Sequence, residues 1–515
     1  MTQKSRIRNL AFDAWRVISR SPWSWMLLAT ILALTFVDVA WARLGGGESF
    51  SGRSSHDDGG GGGDNGFLIY LLIQLIFRYP IVGIPLAIAV IGFVIYTKSQ
   101  QMEPYSSSPT TNGPQAVAAN VTLDESVDEL QQIDPNFSAI LFSDFVYTLY
   151  GKVQEARGRG RLGDYAPYLA EGVRAMLAGL TPREAGLSEV RGVIVGSARL
   201  VKVSGLDQPS VTLAVRFETN YTEILAGNKG KPVEQTLYSV ELWEFSRNRA
   251  VLSRPPEKTT VLDCPNCGSS LELTPQGACV HCGVKIDDGR FQWFVTRVRL
   301  KGRENRGPTL TEEMPERGTN LPTLFDPRFQ ATRKVFLESN PDFSWQRTEA
   351  RYRHIFIELQ NAWSSMAWDK ARPYVSDSLF QFFSYWMGEY RRQRLRNALS
   401  DINIEGVIPC KLRMDAYYDA MTVRFFASMV DTVVDANGKL VRGSPGRPRE
   451  FSEYWTFIRR RGTKESHADN TNCPNCGAAL KINMAGVCEF CGSKLTSGEF
   501  DWVLSQIEQD EAYVG

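Results

Sequence analysis

Eight of the nine cysteines in this sequence fall into two copies of one pattern. The first runs Cys264-Pro265-Asn266-Cys267-Gly268 and, after a gap, Cys279-Val280-His281-Cys282-Gly283. The second runs Cys473-Pro474-Asn475-Cys476-Gly477 and then Cys488-Glu489-Phe490-Cys491-Gly492. In both copies eleven residues separate the inner cysteines. Two C-x-x-C pairs at that separation can bring four thiolates to the corners of a tetrahedron, the ligand set of structural zinc. Each pair predicts a tight knuckle whose glycine frees backbone N–H groups to point at the sulfurs. The expectation is two structural zinc ions, one on Cys264, Cys267, Cys279 and Cys282, the other on Cys473, Cys476, Cys488 and Cys491. Disulfides and rubredoxin-like iron compete with this reading. The C-P-x-C-G knuckles and short loops favour metal over disulfides, and paired ribbons favour zinc over iron. Zinc thiolates imply a reducing compartment. Cys410 is left over, and His281 is read as exposed rather than as a ligand.

Other chemistry is sparse. Of the four histidines, His56 lies in a glycine tract, His281 in a knuckle and His467 in a linker. His354 sits on the polar side of a helix. No nucleophile elbow, Walker or Rossmann pattern is present, and Gly158-Arg159-Gly160 reads only as a turn. Asp415 or Glu453, if inward-facing, would qualify for a buried polar pair inside a pocket, and an enzyme is not expected. A net charge of +1 gives no bulk signal for nucleic acid. The gaps between knuckles hold Lys481, no arginine and no aromatic ladder, so no nucleic acid is expected as partner. Arg391, Arg392, Arg394 and Arg396 close a helix that carries Phe380, Phe383, Trp386, Met387 and Tyr390. They read as contacts to anionic headgroups, worth about 1 kcal/mol each, or as cations favoured at a helix C-terminus. Arg459-Arg460-Arg461 closes the last strand in the same way.

The elements that must carry the cysteines are themselves repeated. Asp134-Pro135-Asn136-Phe137-Ser138 is similar to Asn340-Pro341-Asp342-Phe343-Ser344, and Pro167-Tyr168 falls on Pro373-Tyr374 at the same offset. Val215-Arg216-Phe217 matches Val423-Arg424-Phe425, and Leu242-Trp243-Glu244-Phe245 matches Tyr454-Trp455-Thr456-Phe457. Phe291-Gln292-Trp293 follows the first cysteine set as Phe500-Asp501-Trp502 follows the second. The unit of about 165 residues is a globular domain followed by a ribbon, used twice. Within it, Val146, Leu149, Tyr150 and Val153 recur at helical spacing, as do Tyr352, Ile355, Phe356 and Leu359. Ser138 is placed to cap the first of these helices. Second helices are predicted over Asp164–Leu177 and Ser376–Leu399. Strands are predicted over Val193–Val203, Val211–Thr219 and Gln235–Phe245, and over Val407–Met414, Ala420–Val434 and Phe451–Arg459. Asn437-Gly438 marks a hairpin turn. Helices first and an antiparallel sheet after give an α+β class.

The N-terminus differs in kind. Five cations among the first 22 residues precede an apolar run, Trp23 to Val39, that ends on Ala40-Trp41-Ala42. This fits a signal peptide or a retained first membrane helix over 1–42. A Gly-rich linker over 43–66 leads to an apolar transmembrane segment over 67–97 and a polar linker over 98–130. The basic start faces the cytoplasm by the positive-inside rule, which returns the chain to the cytoplasm after Lys98.

The D-P-x-F-S opening, the aromatic-striped helix, the P-Y helix and a strand-rich end with a tryptophan near its last strand resemble the Tim44-like domain. That family includes the C-terminal domain of a mitochondrial inner-membrane import subunit, a mitoribosomal protein and bacterial membrane proteins. Arg43-Leu44-Gly45-Gly46-Gly47-Glu48-Ser49-Phe50 and the span after it look like the start of bacterial members. The resemblance implies cones of curved sheet wrapped by helices, similar to nuclear-transport-factor-2-like proteins, each with an apolar pocket. It implies protein docking and peripheral membrane contact rather than chemistry. The expected layout is Tim44-like domain 1 over 131–260, ribbon 1 over 261–300, a linker over 301–324, Tim44-like domain 2 over 325–462 and ribbon 2 over 470–507. The expected function is a membrane-anchored adaptor at the bacterial inner membrane, its domains in the cytoplasm, binding a protein partner and membrane lipids. The alternative is an enzyme or small-molecule carrier that uses a cone pocket.

Overall fold

The computed structural model describes residues 114–227, 231–256, 278–283, 293–307, 318–463, 472–483, 486–510, 513 and 515. The N-terminal half runs α1 (Pro114–Ile133), α2 (Ala139–Gly158), α3 (Glu171–Ala178), then β1 (Glu189–Ser204), β2 (Ser210–Leu225), β3 (Val233–Asn248) and β4 (Phe294–Glu304). The C-terminal half runs α4 (Phe329–Ser339), α5 (Trp345–Ser364), α6 (Asp377–Gln393), then β5 (Leu395–Met414), β6 (Tyr418–Asp435), β7 (Leu440–Gly443), β8 (Arg449–Arg460) and β9 (Val503–Gln509). Each half holds one antiparallel sheet, in the order β1-β2-β3-β4 and β5-β6-β8-β9, with β7 also on β6.

Local chemistry sets the helices. Ser138 is extended, and its hydroxyl accepts from the Leu141 amide at 3.2 Å, which starts α2. Ser344 is extended too, but its carbonyl rather than its side chain takes Thr348. Both apolar stripes are buried against the sheets. Tyr150 lies 4.7 Å from Phe217 and 5.2 Å from Trp243. At the matching place Phe356 lies 4.9 Å from Phe425 and from Trp455. Such pairs add about 0.5–1.5 kcal/mol each beyond the area they bury. Gly438, with φ +78°, closes the expected turn between β6 and β7.

Several boundaries move. Residues 114–130, expected in a polar linker, belong to α1, whose buried Val127 and Leu130 are spaced for one helical face among acids and amides. The predicted helix over Asp164–Leu177 is broken around Pro167 into a 3-10 turn (Leu162–Tyr165) and α3. The predicted helix over Ser376–Leu399 stops at Gln393. Arg394 turns left-handed there, with φ 56°, and β5 starts at Leu395. Gly158 is more than part of a turn. It ends α2 pressed against β1, where a Cβ would strike the Val190 amide nitrogen.

The largest change concerns the ribbons. The strands that follow the cysteine segments return to the sheets: β4 pairs with β3 from Tyr238↔Glu304 to Ser246↔Phe294, and β9 pairs with β8 from Glu453↔Gln509 to Ile458↔Val503. Each cysteine segment is therefore an insertion between the third and fourth long strands, not an appendage after a finished domain. Residues 294–304, expected in a ribbon and a linker, and 503–507, expected in a ribbon, are sheet.

The halves meet at a polar seam. Ser138 Oγ donates to Asp415 Oδ2 at 2.6 Å, Arg199 reaches Glu508 at 3.5 Å, and Asp124 faces Arg328 at 3.2 Å, Lys411 at 3.5 Å and Arg413. Among the described residues no helix is long and apolar enough to cross a membrane. The membrane segments expected over 1–42 and 67–97 lie outside the described residues.

Candidate metal centre

Cys473, Cys476, Cys488 and Cys491 converge, all four sulfurs lying within 4.8 Å of one another. Cys473 Sγ and Cys491 Sγ are 3.7 Å apart. Zinc–thiolate bonds of about 2.3 Å in a tetrahedron require sulfurs about 3.8 Å apart, so the cluster fits a tetrahedral metal ion. The knuckles explain the convergence. The Gly477 amide donates to the Cys473 carbonyl at 2.8 Å and the Gly492 amide to the Cys488 carbonyl at 3.0 Å. Both glycines have φ +73°, a conformation that disfavours a side chain. Cys473 and Cys488 are buried beside Leu495, with Leu480, Ile482 and Phe500 around them, and Cys476 and Cys491 are exposed.

The thiols are not equivalent. The Asn475 amide, 3.5 Å away, and the Ser493 hydroxyl and backbone hold Cys491 down to about 5. Cys476 receives a hydrogen bond from the Ala478 backbone, but desolvation and the three neighbouring thiols push it up to about 11. A metal takes these ligands as thiolates, so its binding would release protons. In the first cysteine set, Cys279 is buried and Cys282 partly so. The Gly283 amide donates to the Cys279 carbonyl at 2.8 Å, with φ +69°. Cys264 and Cys267 lie outside the described residues. His281 is exposed, as expected.

The second ribbon is docked onto the fold around it. Lys494 Nζ lies 2.5 Å from Asp377 Oδ2, and Thr496 Oγ1 donates to Asp377 Oδ1 at 3.1 Å, in the first turn of α6. Burial would raise Asp377, but Lys494 and Arg372 outweigh it and hold the carboxyl below its ordinary value. At the ribbon exit the Arg460 amide donates to the Gly498 carbonyl at 2.8 Å, and Arg460 Nη1 reaches Glu499 at 2.8 Å. Trp502 follows, almost fully buried, with the Arg459 guanidinium 4.7 Å over its ring and Tyr352 edge-on at 5.8 Å. Arg459 also donates to Asn340 Oδ1 at 2.9 Å and to Asp419 Oδ2 at 3.1 Å. In the N-terminal half Arg247 sits 4.3 Å over Trp293 and donates to Asp134 at 2.6 Å. The two Asp/Asn-Pro motifs thus close on matching arginines. Where Asp134 is replaced by neutral Asn340, Asp419 supplies the charge. Sequence reasoning missed Arg247 and read Arg459, with Arg460 and Arg461, as a cationic strand end, whereas Arg459 is buried on Trp502 and Asp419. The signal was the shared spacing E-x-W-x-F-x-R, Glu241 to Arg247 and Glu453 to Arg459.

The other candidates are dispersed. Glu453 is buried and accepts from Trp455 Nε1 and Gln509 Nε2, both at 2.9 Å. Asp415 caps the β5–β6 turn by accepting from the Tyr417 and Tyr418 amides at 2.8 Å. Neither of them lines the apolar cavity beside α4. His354 Nε2 lies 3.3 Å from the Tyr374 hydroxyl, and Cys410 is buried, donating to the Thr422 carbonyl at 3.3 Å. The four arginines divide between helix, cap and strand. Arg391 donates to the Met366 carbonyl at 2.9 Å, Arg392 pairs with Glu389 at 2.6 Å, Arg394 is the helix cap, and Arg396 in β5 reaches the Ser364 carbonyl at 3.4 Å. An apolar cavity of about 320 Å³ opens between α4 and the sheet, lined by Phe325, Phe329, Phe336, Phe343, Trp345, Pro409 and Met421, with Gln330 and Arg333 as its polar groups.

A Tim44-like domain is found at residues 330–469. The match runs from α4 through β8 and ends before Cys473, leaving the second cysteine set and β9 outside it. A comparison with curated proteins returns no match.

Proposed function

We propose that this chain is a membrane-anchored adaptor built from two Tim44-like domains, each with an inserted structural zinc ribbon, that binds a protein partner at the bacterial inner membrane. The observation that carries it is the recurrence, in the N-terminal half, of the devices that build the C-terminal half. These are the helix stripe on the sheet, the interior glutamate beside a tryptophan (Glu241 with Trp243, Glu453 with Trp455) and the arginine over the tryptophan after the ribbon. The membrane anchor and cytoplasmic placement rest on the apolar runs and basic start of the sequence. Zinc rests on the tetrahedral thiolate geometry and the absence of a need for redox chemistry in such a role. Membrane lipids are further ligands on this reading, through Arg391, Arg392, Arg394 and Arg396.

Native mass spectrometry of the full chain released gently from its membrane tests the proposal. A co-purifying protein chain together with two zinc ions per protomer is the expected result. A lone protomer carrying a lipid or small molecule would favour the second reading, a carrier, which the apolar cavity beside α4 supports.

A further inference from the structure

The second cysteine cluster sits on the path between two strands of one sheet. We propose that its metal acts as a clasp: its occupancy decides whether β9 stays in the C-terminal sheet. The inference rests on the reading that this site holds a metal. Upstream, β8 ends at Arg460, and downstream β9 starts at Val503. Between them the ribbon is fixed to the fold near its exit by Lys494 and Thr496 on Asp377, by Gly498 and Glu499 on Arg460, and by Asp501 on Arg351 at 3.3 Å. Lys494 lies three residues from the ligand Cys491, so the position of its ammonium is set by the closed knuckle. Gly486, with φ +75°, brings the ribbon hairpin against Thr496 and Arg372 so closely that a Cβ would meet both.

The ribbon has a small core of its own, Leu495 with Leu480, Ile482 and Phe500 around two cysteines. A core of this size does not hold a fold without its metal. Strand β9 pairs on one side with β8, interrupted by an irregularity between Thr456 and Phe457; away from β8 the Ser376 amide donates to the Leu504 carbonyl at 2.8 Å, and Glu508 near its far end meets Arg199 at 3.5 Å. An emptied site releases the ribbon from Asp377 and Arg460. Trp502 then leaves Arg459 and Tyr352, β9 detaches, and the apolar face under it, with Tyr352 and Phe457, becomes available. The site would thus make the binding state of the Tim44-like domain responsive to available metal.

Amide hydrogen exchange on the full chain, with and without a zinc chelator, tests this. In the clasp, chelation speeds exchange at 503–509 along with 472–500, by about 100-fold or more, leaves α5 and β6 slow, and added zinc restores protection. Lys494→Ala, which keeps all four ligands, gives faster exchange at 503–509 with metal content unchanged. If chelation strips the metal and quickens 472–500 while 503–509 stay protected, the clasp is overturned and the metal site stands. If the isolated chain carries no metal and the chelator changes nothing in 472–500, the metal reading falls and the clasp falls with it.

Discussion

Arg459 and Arg247 show how much a single side chain does here. Each guanidinium is buried, lies over an indole and joins the motif before a helix to the strand after a ribbon. Replacing Arg459 with Met keeps bulk but leaves Asp419 buried without that partner. Breaking a buried pair costs about 3–5 kcal/mol, so Arg459→Met should lower the urea midpoint clearly, whereas Arg392→Met, on an exposed pair, should change it little. Cys410 gives a second check. Burial pushes its thiol up to about 12, so iodoacetamide at pH 8 should leave it unmodified in the folded chain and label it in denaturant. At this scale the second cysteine cluster was legible because metal geometry imposes a fixed spacing. The arginines were not, because a cation at a strand end reads as solvated until the tryptophan that covers it, far along the chain, is placed.

Among the elements, the helix stripes and long strands followed from periodicity, and their ends did not. Pro167 and the left-handed Arg394 stop helices that apolar spacing alone would continue. The fourth strands were hidden for a different reason. Val295, Val298 and Leu300 alternate with Arg297, Arg299 and Lys301 imperfectly, and position after the cysteines assigned them to the ribbon. Gly158 carries the sharpest test at this scale. With α2 seated on β1 at this glycine, Gly158→Ala should destabilise by about 1–3 kcal/mol despite the better helix propensity of alanine, measured by thermal unfolding. Ala substitution at the open Gly163, where a Cβ meets nothing within 4 Å, is the control and should be near neutral.

For the molecule as a whole, the seam sets a pH dependence. Desolvation at the seam pushes Asp144 up from 3.8 to about 7, with Asp377 adding and Lys494 opposing, and Tyr418 lies close by. Asp415 and Glu508 are raised by burial as well. A carboxyl that holds its proton longer when folded stabilises fully below its unfolded value and loses that contribution as pH rises through the folded one. The Asp144 contribution therefore fades between about pH 4 and pH 7. Water reaches its side chain, which keeps the effect small. The unfolding temperature of the full chain should fall between pH 5 and 7.5, and Asp144→Asn should flatten that slope.

The placing of the ribbon inside the sheet also has a consequence in time. Forty-two residues separate Arg460 from Val503, and a ribosome adds about 5–20 residues per second. For roughly 2–8 seconds of every synthesis the edge of β8 has emerged before its last neighbour exists. An open strand edge invites pairing with other chains. The stretch made during that interval is the one that carries the four cysteines, so a nascent ribbon that captures its metal early is held beside the edge that β9 then fills.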